Sequence, residues 1–149
     1  MRKAVRAIVI KNDQFLVMHR NKFGQKYFTL IGGGVDFGET KEQSLIREIT
    51  EETGIAVANP KLVFIEEAGA PYGTQYIYLC KYVAGEPKLA PNSIEAKIAE
   101  SGKNLYIPMW IPISKLPEAN LLSNNLKSAI LDGLKDGWPN KPLTLQSKT

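Results

Sequence analysis

Residues 32–55, with the sequence GGGVDFGETKEQSLIREITEETGI, constrain the fold most strongly, because they predict a helix whose two ends are both marked. Thr40 followed three residues later by Gln43 is the pattern of a capping box at a helix start. Gly54 suits the left-handed residue that commonly closes a helix. A helix is therefore predicted over residues 41–53, directly behind a run of three glycines.

One face of this predicted helix is acidic, since Glu48, Glu51 and Glu52 fall within one arc at about 100° per residue. Like charges at this spacing destabilise an exposed helix by roughly 0.2–0.5 kcal/mol per pair. In a cleft, two such charges at ~4 Å repel by roughly 4 kcal/mol at an effective dielectric near 20. The nearby cations are Arg47 and Lys41. An ordinary solvated face and a divalent-cation site both fit this spacing, and oxygen ligands would select Mg²⁺ or Mn²⁺.

Strand patterns surround the helix. Apolar stretches rich in β-branched and aromatic residues predict strands at about 3–11, 14–20, 26–32, 61–68, 74–84 and 105–113. A second helix is predicted in SNNLKSAILDGLKDG, where Leu126, Ile130 and Leu134 recur every four residues behind the capping residue Ser123. Strands around one strong helix, with another helix near the end, indicate an α/β (α+β) fold in which a mixed β-sheet lies between helices.

Composition favours a single compact domain, predicted over residues 1–138. Order is predicted to end at Trp138, and residues 139–149 are predicted to form a C-terminal tail. The formal charge of +4 is spread along the chain, which suits an anionic ligand and does not indicate nucleic acid. No apolar run approaches the ~18 residues needed to span a membrane. The lone cysteine, Cys80, suits inert packing in a reducing compartment, so a cytoplasmic location is expected.

The segment from Gly33 to Ile55 resembles the Nudix box at every defined position. That pattern is glycine, five residues, glutamate, seven residues, and then arginine, glutamate, an aliphatic residue, any residue, two glutamates, any residue, glycine and an aliphatic residue. The matching residues are Gly33, Glu39, Arg47, Glu48, Ile49, Glu51, Glu52, Gly54 and Ile55. With a softer likeness outside the box, the resemblance covers about residues 3–135 and implies the Nudix fold with Mg²⁺ or Mn²⁺ as cofactor.

The resemblance also implies a reaction: water attacks a phosphorus atom of a nucleoside diphosphate that is linked to another moiety. Glu48 and Glu52 would be the principal metal ligands, and Glu51 would be a ligand or would lie next to the ligands. Arg47 would orient Glu48 through a charge-assisted hydrogen bond. The residue that takes the proton from water is left open, with Glu48 or Glu51 favoured.

Two further candidates for this base, Glu95 and Glu100, lie in the predicted loop after strand 74–84, where ordinary surface roles fit them as well. The residues predicted to contact substrate are Gly32, Gly33, Gly34, Arg6, Arg20 and Tyr72. The glycines would let the loop backbone approach the phosphates closely. Aromatic residues that suit either base stacking or core packing are Tyr27, Phe28, Tyr72, Tyr76 and Trp110.

Features associated with particular substrates disagree within this resemblance. Pro71, about sixteen residues beyond the box, is typical of ADP-ribose hydrolases, whereas Tyr72 is typical of dinucleoside polyphosphate hydrolases. The chain length is similar to that of small MutT-type enzymes, so a nucleoside triphosphate, a nucleoside diphosphate sugar or ADP-ribose is expected. A dinucleoside polyphosphate hydrolase and a non-catalytic nucleotide-binding sensor are the alternatives. No membrane and no specific nucleic-acid partner are expected, and the protein is expected to be a monomer or a homodimer.

Overall fold

The computed structural model of the chain describes residues 2–88 and 104–147. In chain order its elements are β1 (Lys3–Lys11), β2 (Gln14–Lys22), β3 (Gln25–Thr29), β4 (Ile31–Gly34), α1 (Lys41–Thr53), β5 (Ala56–Glu67), β6 (Thr74–Ala84), β7 (Asn104–Pro112), a 3₁₀ helix (Ile113–Glu118), α2 (Asn124–Asp136) and β8 (Leu143–Gln146). No helix in these ranges is both long enough and apolar enough to cross a membrane.

The strands form one mixed sheet in the order β3-β2-β1-β6-β5-β8, with β4 paired to β1 and β7 paired to β2. The β1–β6 and β5–β8 pairs are parallel, and the other pairs are antiparallel. Strand β7 follows the whole of β2, from Gln14 opposite Pro112 to Lys22 opposite Asn104. In the described part of the chain β7 has no second strand partner, and such an edge position suits a strand that contains Pro108 and Pro112.

Two apolar clusters fill the opposite faces of the sheet. One contains Val5 of β1 and Ile49 of α1, and the other contains Ile8 of β1 and Ile130 of α2. Odd and even residues of a strand point to opposite faces, so β1 contributes to both clusters. Complete burial of one isoleucine side chain contributes about 1.5–3 kcal/mol. The predicted α/β arrangement, a mixed sheet between helices, is confirmed.

Helix α1 begins and ends at the predicted residues. The Thr40 hydroxyl accepts a hydrogen bond from the Gln43 backbone N–H at 3.1 Å, and the Gln43 side-chain oxygen accepts one from the Thr40 N–H at 2.9 Å. Gly54 has a φ of 69°, and its N–H donates to the Thr50 carbonyl at 3.0 Å. An N-cap contributes about 1 kcal/mol. These contacts fix the register of the acidic face relative to the glycines that precede it.

The carboxyl end differs from the prediction. Order was predicted to end at Trp138, and this is wrong because β8, at Leu143–Gln146, pairs in parallel with β5 from Phe64 to Glu67. The pairing continues beyond the strand, since the Ser147 N–H donates to the Glu67 carbonyl at 3.0 Å. A four-residue strand whose partner lies far away in the sequence carries no local pattern that could reveal it.

Two other strands differ in extent from the prediction. The stretch predicted at 26–32 is divided at Leu30, so that β3 pairs with β2 while β4 pairs with β1. Strand β5 begins at Ala56 and accommodates Pro60 through irregularities in its pairing with β6. Cys80 is buried in β6, and burial raises the pKa of its thiol to about 12, which agrees with the predicted inert packing role.

Candidate active site

A pocket of about 250 Å³ brings the acidic helix face, the glycines and several basic side chains together. Its lining residues are Arg2, Arg6, Met18, Arg20, Thr29, Gly32, Gly33, Gly34, Glu48, Glu52 and Tyr106. A larger cleft of about 480 Å³ lies between α2 and β8, and among the described residues of its wall Asp132 is the one with an ionisable side chain. The smaller pocket is therefore the better candidate for chemistry, because it concentrates ionisable groups.

Two carboxylates of this pocket, those of Glu48 and Glu52, lie one helical turn apart on α1 and are only 8% and 5% exposed. The Gly32 N–H donates a hydrogen bond to Glu52 Oε2 at 3.1 Å. A Cβ atom added to Gly33 would lie 2.6 Å from Glu48 Oε1, so a glycine at this position makes room for the carboxylate. Both carboxylates are thus packed directly against the glycine loop, residues 32–34.

Arg47 ties the acidic residues together from the outer side of the helix. Its Nη1 donates to Glu48 Oε1 at 3.2 Å and to Glu51 Oε2 at 3.4 Å. It also forms a bidentate pair with Glu39, at 2.9 Å from Nε and 3.1 Å from Nη2. The hydrogen bond to Glu39 is the largest cause of the raised pKa of Arg47. This geometry fits the orienting role that the resemblance implies for Arg47.

The other partner in this pair, Glu39, is bound from three sides. Besides Arg47, the Ser44 hydroxyl donates to Glu39 Oε1 at 2.7 Å, and the Asp36 N–H donates at 3.3 Å. The Arg47 hydrogen bonds, followed by the one from Ser44, lower the pKa of Glu39 from 4.5 to about 2. Glu39 therefore connects the loop before α1 to the arginine that holds Glu48.

This lowered pKa predicts a pH-dependent stability. A folded-state pKa below the unfolded value means that ionised Glu39 stabilises the fold above about pH 4.5, and that this stabilisation disappears as the pH falls through about 2. The difference in unfolding free energy between wild type and Glu39→Gln should be largest near neutral pH and should shrink between those two values. Urea denaturation across this pH range measures the difference. The exposed Glu118→Gln serves as the control, and an equally flat difference for both variants would contradict the prediction.

Arg6 enters the pocket from β1 and is held by neutral oxygen atoms. Its Nε donates to Gln75 Oε1 at 3.2 Å, and its Nη1 donates to the Leu30 carbonyl at 3.3 Å. Burial is the main reason that the pKa of Arg6 is lowered, and the negative charge of Glu52 opposes this effect. The predicted phosphate contact at Arg6 therefore lies beside the acidic pair.

Arg20 enters from β2 and is stacked on an aromatic ring. Its guanidinium carbon lies 3.7 Å from the centroid of the Tyr106 ring and 5.6 Å from that of Tyr27. Its Nη2 donates to Asn104 Oδ1 at 2.7 Å, and its Nε donates to the Leu105 carbonyl at 3.2 Å. Strand pairing explains this stack, because Arg20 lies directly opposite Tyr27 on β3 and Tyr106 on β7.

Some predicted site residues are not part of the pocket wall. The Glu51 side chain is 44% exposed and reaches Arg47 without lining the pocket, and Tyr72 is 47% exposed in the turn between β5 and β6. Glu95 and Glu100 lie outside the described residues. The functions assigned to all these residues stay predictions.

The structure also adds pocket residues that sequence reasoning missed, namely Arg2, Met18, Thr29 and Tyr106. Tyr106 resembled the other aromatic residues of a strand, and only the register between β2 and β7 places it against Arg20. Arg2 precedes the first strand, where nothing in the sequence distinguishes it from a surface residue.

The donor atoms of the pocket fit a hard divalent cation. Glu48 and Glu52 offer buried carboxylate oxygens, which are the hard donor atoms that Mg²⁺ and Mn²⁺ prefer. Within residues 2–88 and 104–147, no three histidine, cysteine, aspartate or glutamate side chains are already gathered as a metal cage. Mg²⁺ sites commonly use one or two carboxylates and complete their shell with substrate phosphates and water.

Comparison with known proteins identifies the family to which the chain belongs. A family model described as the NUDIX domain matches residues 1–129, so the chain belongs to the Nudix family. The chain is 36% identical over 104 residues to the NAD-capped RNA hydrolase NudC of Photobacterium profundum, covering 70% of this chain and 38% of that protein. It is 32% identical over 109 residues to NudC of Vibrio cholerae, covering 73% and 36%. The chain thus spans little more than a third of the length of these curated relatives.

Solved structures show the same fold at low sequence identity. A Nudix hydrolase from Nitrosomonas europaea superposes with a TM-score of 0.68 at 18% identity, covering 92% of this chain and 90% of that one. An ADP-ribose pyrophosphatase from Streptococcus suis superposes with a TM-score of 0.65 at 19% identity, covering 98% of both chains. The Nudix fold expected from the resemblance is confirmed.

Proposed function

We propose that the protein is a metal-dependent pyrophosphohydrolase of small nucleotides, in which water attacks phosphorus in a nucleoside diphosphate linked to another moiety. One observation carries this proposal: Glu48 and Glu52 are buried together against the glycine loop, in a pocket that also contains Arg6 and Arg20. Such a pocket can hold a cation and the phosphate oxygens side by side. The names of the relatives, which include an ADP-ribose pyrophosphatase and NAD-capped RNA hydrolases, support the same class of reaction.

Glu48 and Glu52 would hold the Mg²⁺ or Mn²⁺ ion, which supplies charge neutralisation at the phosphate oxygens and lowers the pKa of water. Arg47 keeps Glu48 oriented and draws Glu51 toward the same place. Either Glu48 or Glu51 then accepts the proton of the attacking water, with Glu95 and Glu100 as the alternative bases.

The phosphates would lie against the backbone of Gly32, Gly33 and Gly34, where no side chain intervenes. Arg6 and Arg20 would bind phosphate oxygens through guanidinium N–H groups, in a part of the pocket where neutral partners fix their orientation. Tyr72 lies outside this pocket, so its predicted contact with substrate would require a nucleotide that extends beyond the wall.

The proposed partner is a small nucleotide in the cytoplasm. Similarity to NAD-capped RNA hydrolases favours a dinucleotide diphosphate such as NAD as a second candidate substrate. For the same reason, RNA with such a cap stays a candidate partner, although the sequence predicts no specific nucleic-acid partner. A nucleotide sensor without catalysis stays the alternative from a different functional class.

The proposal is tested with a panel of nucleoside triphosphates, nucleoside diphosphate sugars, ADP-ribose, dinucleoside polyphosphates and NAD. Products are identified by chromatography with Mg²⁺, with Mn²⁺ and with EDTA. We expect hydrolysis of at least one compound at an anhydride bond, and loss of turnover in EDTA. Binding of a panel member without turnover in either metal would support the sensor instead.

A further inference from the structure

Three arginines with different backbone origins converge on the candidate pocket: Arg2 before β1, Arg6 within β1 and Arg20 within β2. Hydrogen bonds fix two of them through uncharged oxygens, which are carbonyl and amide groups of Gln75, Leu30, Leu105 and Asn104. Neutral acceptors orient a guanidinium without cancelling its charge. Arg47 differs, since its partners are the carboxylates of Asp36, Glu39, Glu48 and Glu51.

Arg2 and Arg6 lie close enough for their charges to repel. The charge of Arg2 adds to the lowering of the Arg6 pKa, after the larger effect of burial. The two residues are four positions apart, an even separation, and so share one face of an extended segment. A Cβ atom on Gly34 would lie 4.0 Å from Nε and Nη2 of Arg2, which places this guanidinium beside the glycine loop. An anion between the two guanidinium groups would relieve their repulsion.

The charges that line the pocket favour a highly charged anion. Among the described residues that line the pocket, three arginines face two glutamates, so these side chains carry one net positive charge before any metal ion binds. A divalent cation on the glutamates would raise this net charge to three. A bridging phosphate carries one negative charge, whereas a terminal phosphate carries about −1.5 to −2 at pH 7. The balance therefore suits a substrate that ends in a phosphate.

We infer that Arg2, together with Arg6 and Arg20, determines specificity for nucleotides with a terminal phosphate beyond the cleaved anhydride, that is, for nucleoside triphosphates over nucleoside diphosphate sugars. The inference rests on the proposed function and names the substrate class of that same pocket. The reaction needs no co-reactant other than water. One P–O bond forms to the oxygen of water, one bond of a P–O–P bridge breaks, and a proton is released to solvent.

The test uses substrate pairs that share a base, ATP with ADP-ribose and GTP with GDP-mannose, so that base preference cancels within each pair. In wild type, kcat/KM for the triphosphate should exceed that for the paired sugar nucleotide by about tenfold or more. The reason is that hydrogen bonds between a guanidinium and a charged phosphate oxygen are stronger than those between neutral groups. Arg2→Ala should reduce the triphosphate value by about tenfold, mainly through KM, and should change the sugar nucleotide value by less than about threefold. Arg2→Lys should recover part of the loss because it keeps the charge.

Lys3→Ala is the matched control, since it removes an exposed positive charge one residue away that does not line the pocket. Its specificity ratio should equal that of wild type. Thermal unfolding midpoints of all variants should agree, which separates specificity from folding.

Equal losses on both members of a pair in Arg2→Ala, or a wild-type preference for the sugar nucleotide, would overturn the inference. Absence of turnover on all four compounds, with hydrolysis of another panel member, would overturn it and leave the proposed function intact. Absence of turnover on every panel compound would overturn the proposed function as well.

Discussion

Replacement of Glu52 by glutamine is expected to lower kcat/KM by about a thousandfold or more and to leave the fold intact. The amide has nearly the same volume and keeps an oxygen that can accept the hydrogen bond from the Gly32 N–H. It removes one of the two carboxylate charges that the described residues contribute to the pocket. A catalytic metal ion supplies several kcal/mol of transition-state stabilisation, and each 1.36 kcal/mol is tenfold in rate, so its loss has this size.

The matched control for this variant is Glu42→Gln on the same helix. The Glu42 carboxylate accepts a hydrogen bond from the Tyr78 hydroxyl at 3.1 Å and does not line the pocket. Its activity should stay within about threefold of wild type, as expected for a surface substitution. Calorimetry with Mn²⁺ should show weakened metal uptake by Glu52→Gln alone. Near-wild-type turnover of a folded Glu52→Gln protein would contradict the assignment of Glu52 to the metal.

The geometry of α1 was predictable because its signals are local. Thr40 and Gln43 exchange two hydrogen bonds within one helical turn, and the φ of 69° at residue 54 is a conformation that glycine adopts without strain. Once these ends are fixed, the helical repeat determines that Glu48 and Glu52 share a face. The packing of both carboxylates on the glycine loop follows from the close approach of α1 to β4. Residue spacing along the sequence does not predict this contact.

The remainder of the pocket depends on contacts between distant segments. Arg20 was a candidate from its residue type alone, and its stack on Tyr106 exists only because β7 pairs with β2 in one particular register. A shift of one residue in that register would place Tyr106 on the other face of the sheet. Strand β8 was missed for the same reason, since its pairing partner β5 is separated from it by most of the carboxyl-terminal half.

A methyl group on Gly33 is expected to impair catalysis more than one on Gly34, although the two residues are neighbours in β4. In Gly33→Ala the new Cβ would lie 2.6 Å from Glu48 Oε1 and 2.7 Å from Glu48 Cδ, so the carboxylate must move. In Gly34→Ala the nearest atoms, Nε and Nη2 of Arg2, lie at 4.0 Å, an ordinary contact. Displacement of a catalytic group by about 1 Å can cost about 10²-fold in rate.

Gly33→Ala should therefore reduce kcat/KM by about a hundredfold, and Gly34→Ala should stay at least about tenfold more active than Gly33→Ala. Both changes stiffen the unfolded chain alike, so a difference between them reports on the carboxylate rather than on chain entropy. Steady-state kinetics and thermal unfolding of the two variants measure this comparison. Equal activities in two folded proteins would show that the position of the Glu48 carboxylate against Gly33 is unimportant for turnover. A loss confined to Gly33→Ala would tie turnover to the contact between Glu48 and the glycine loop, because the clashing atoms all belong to that carboxyl group.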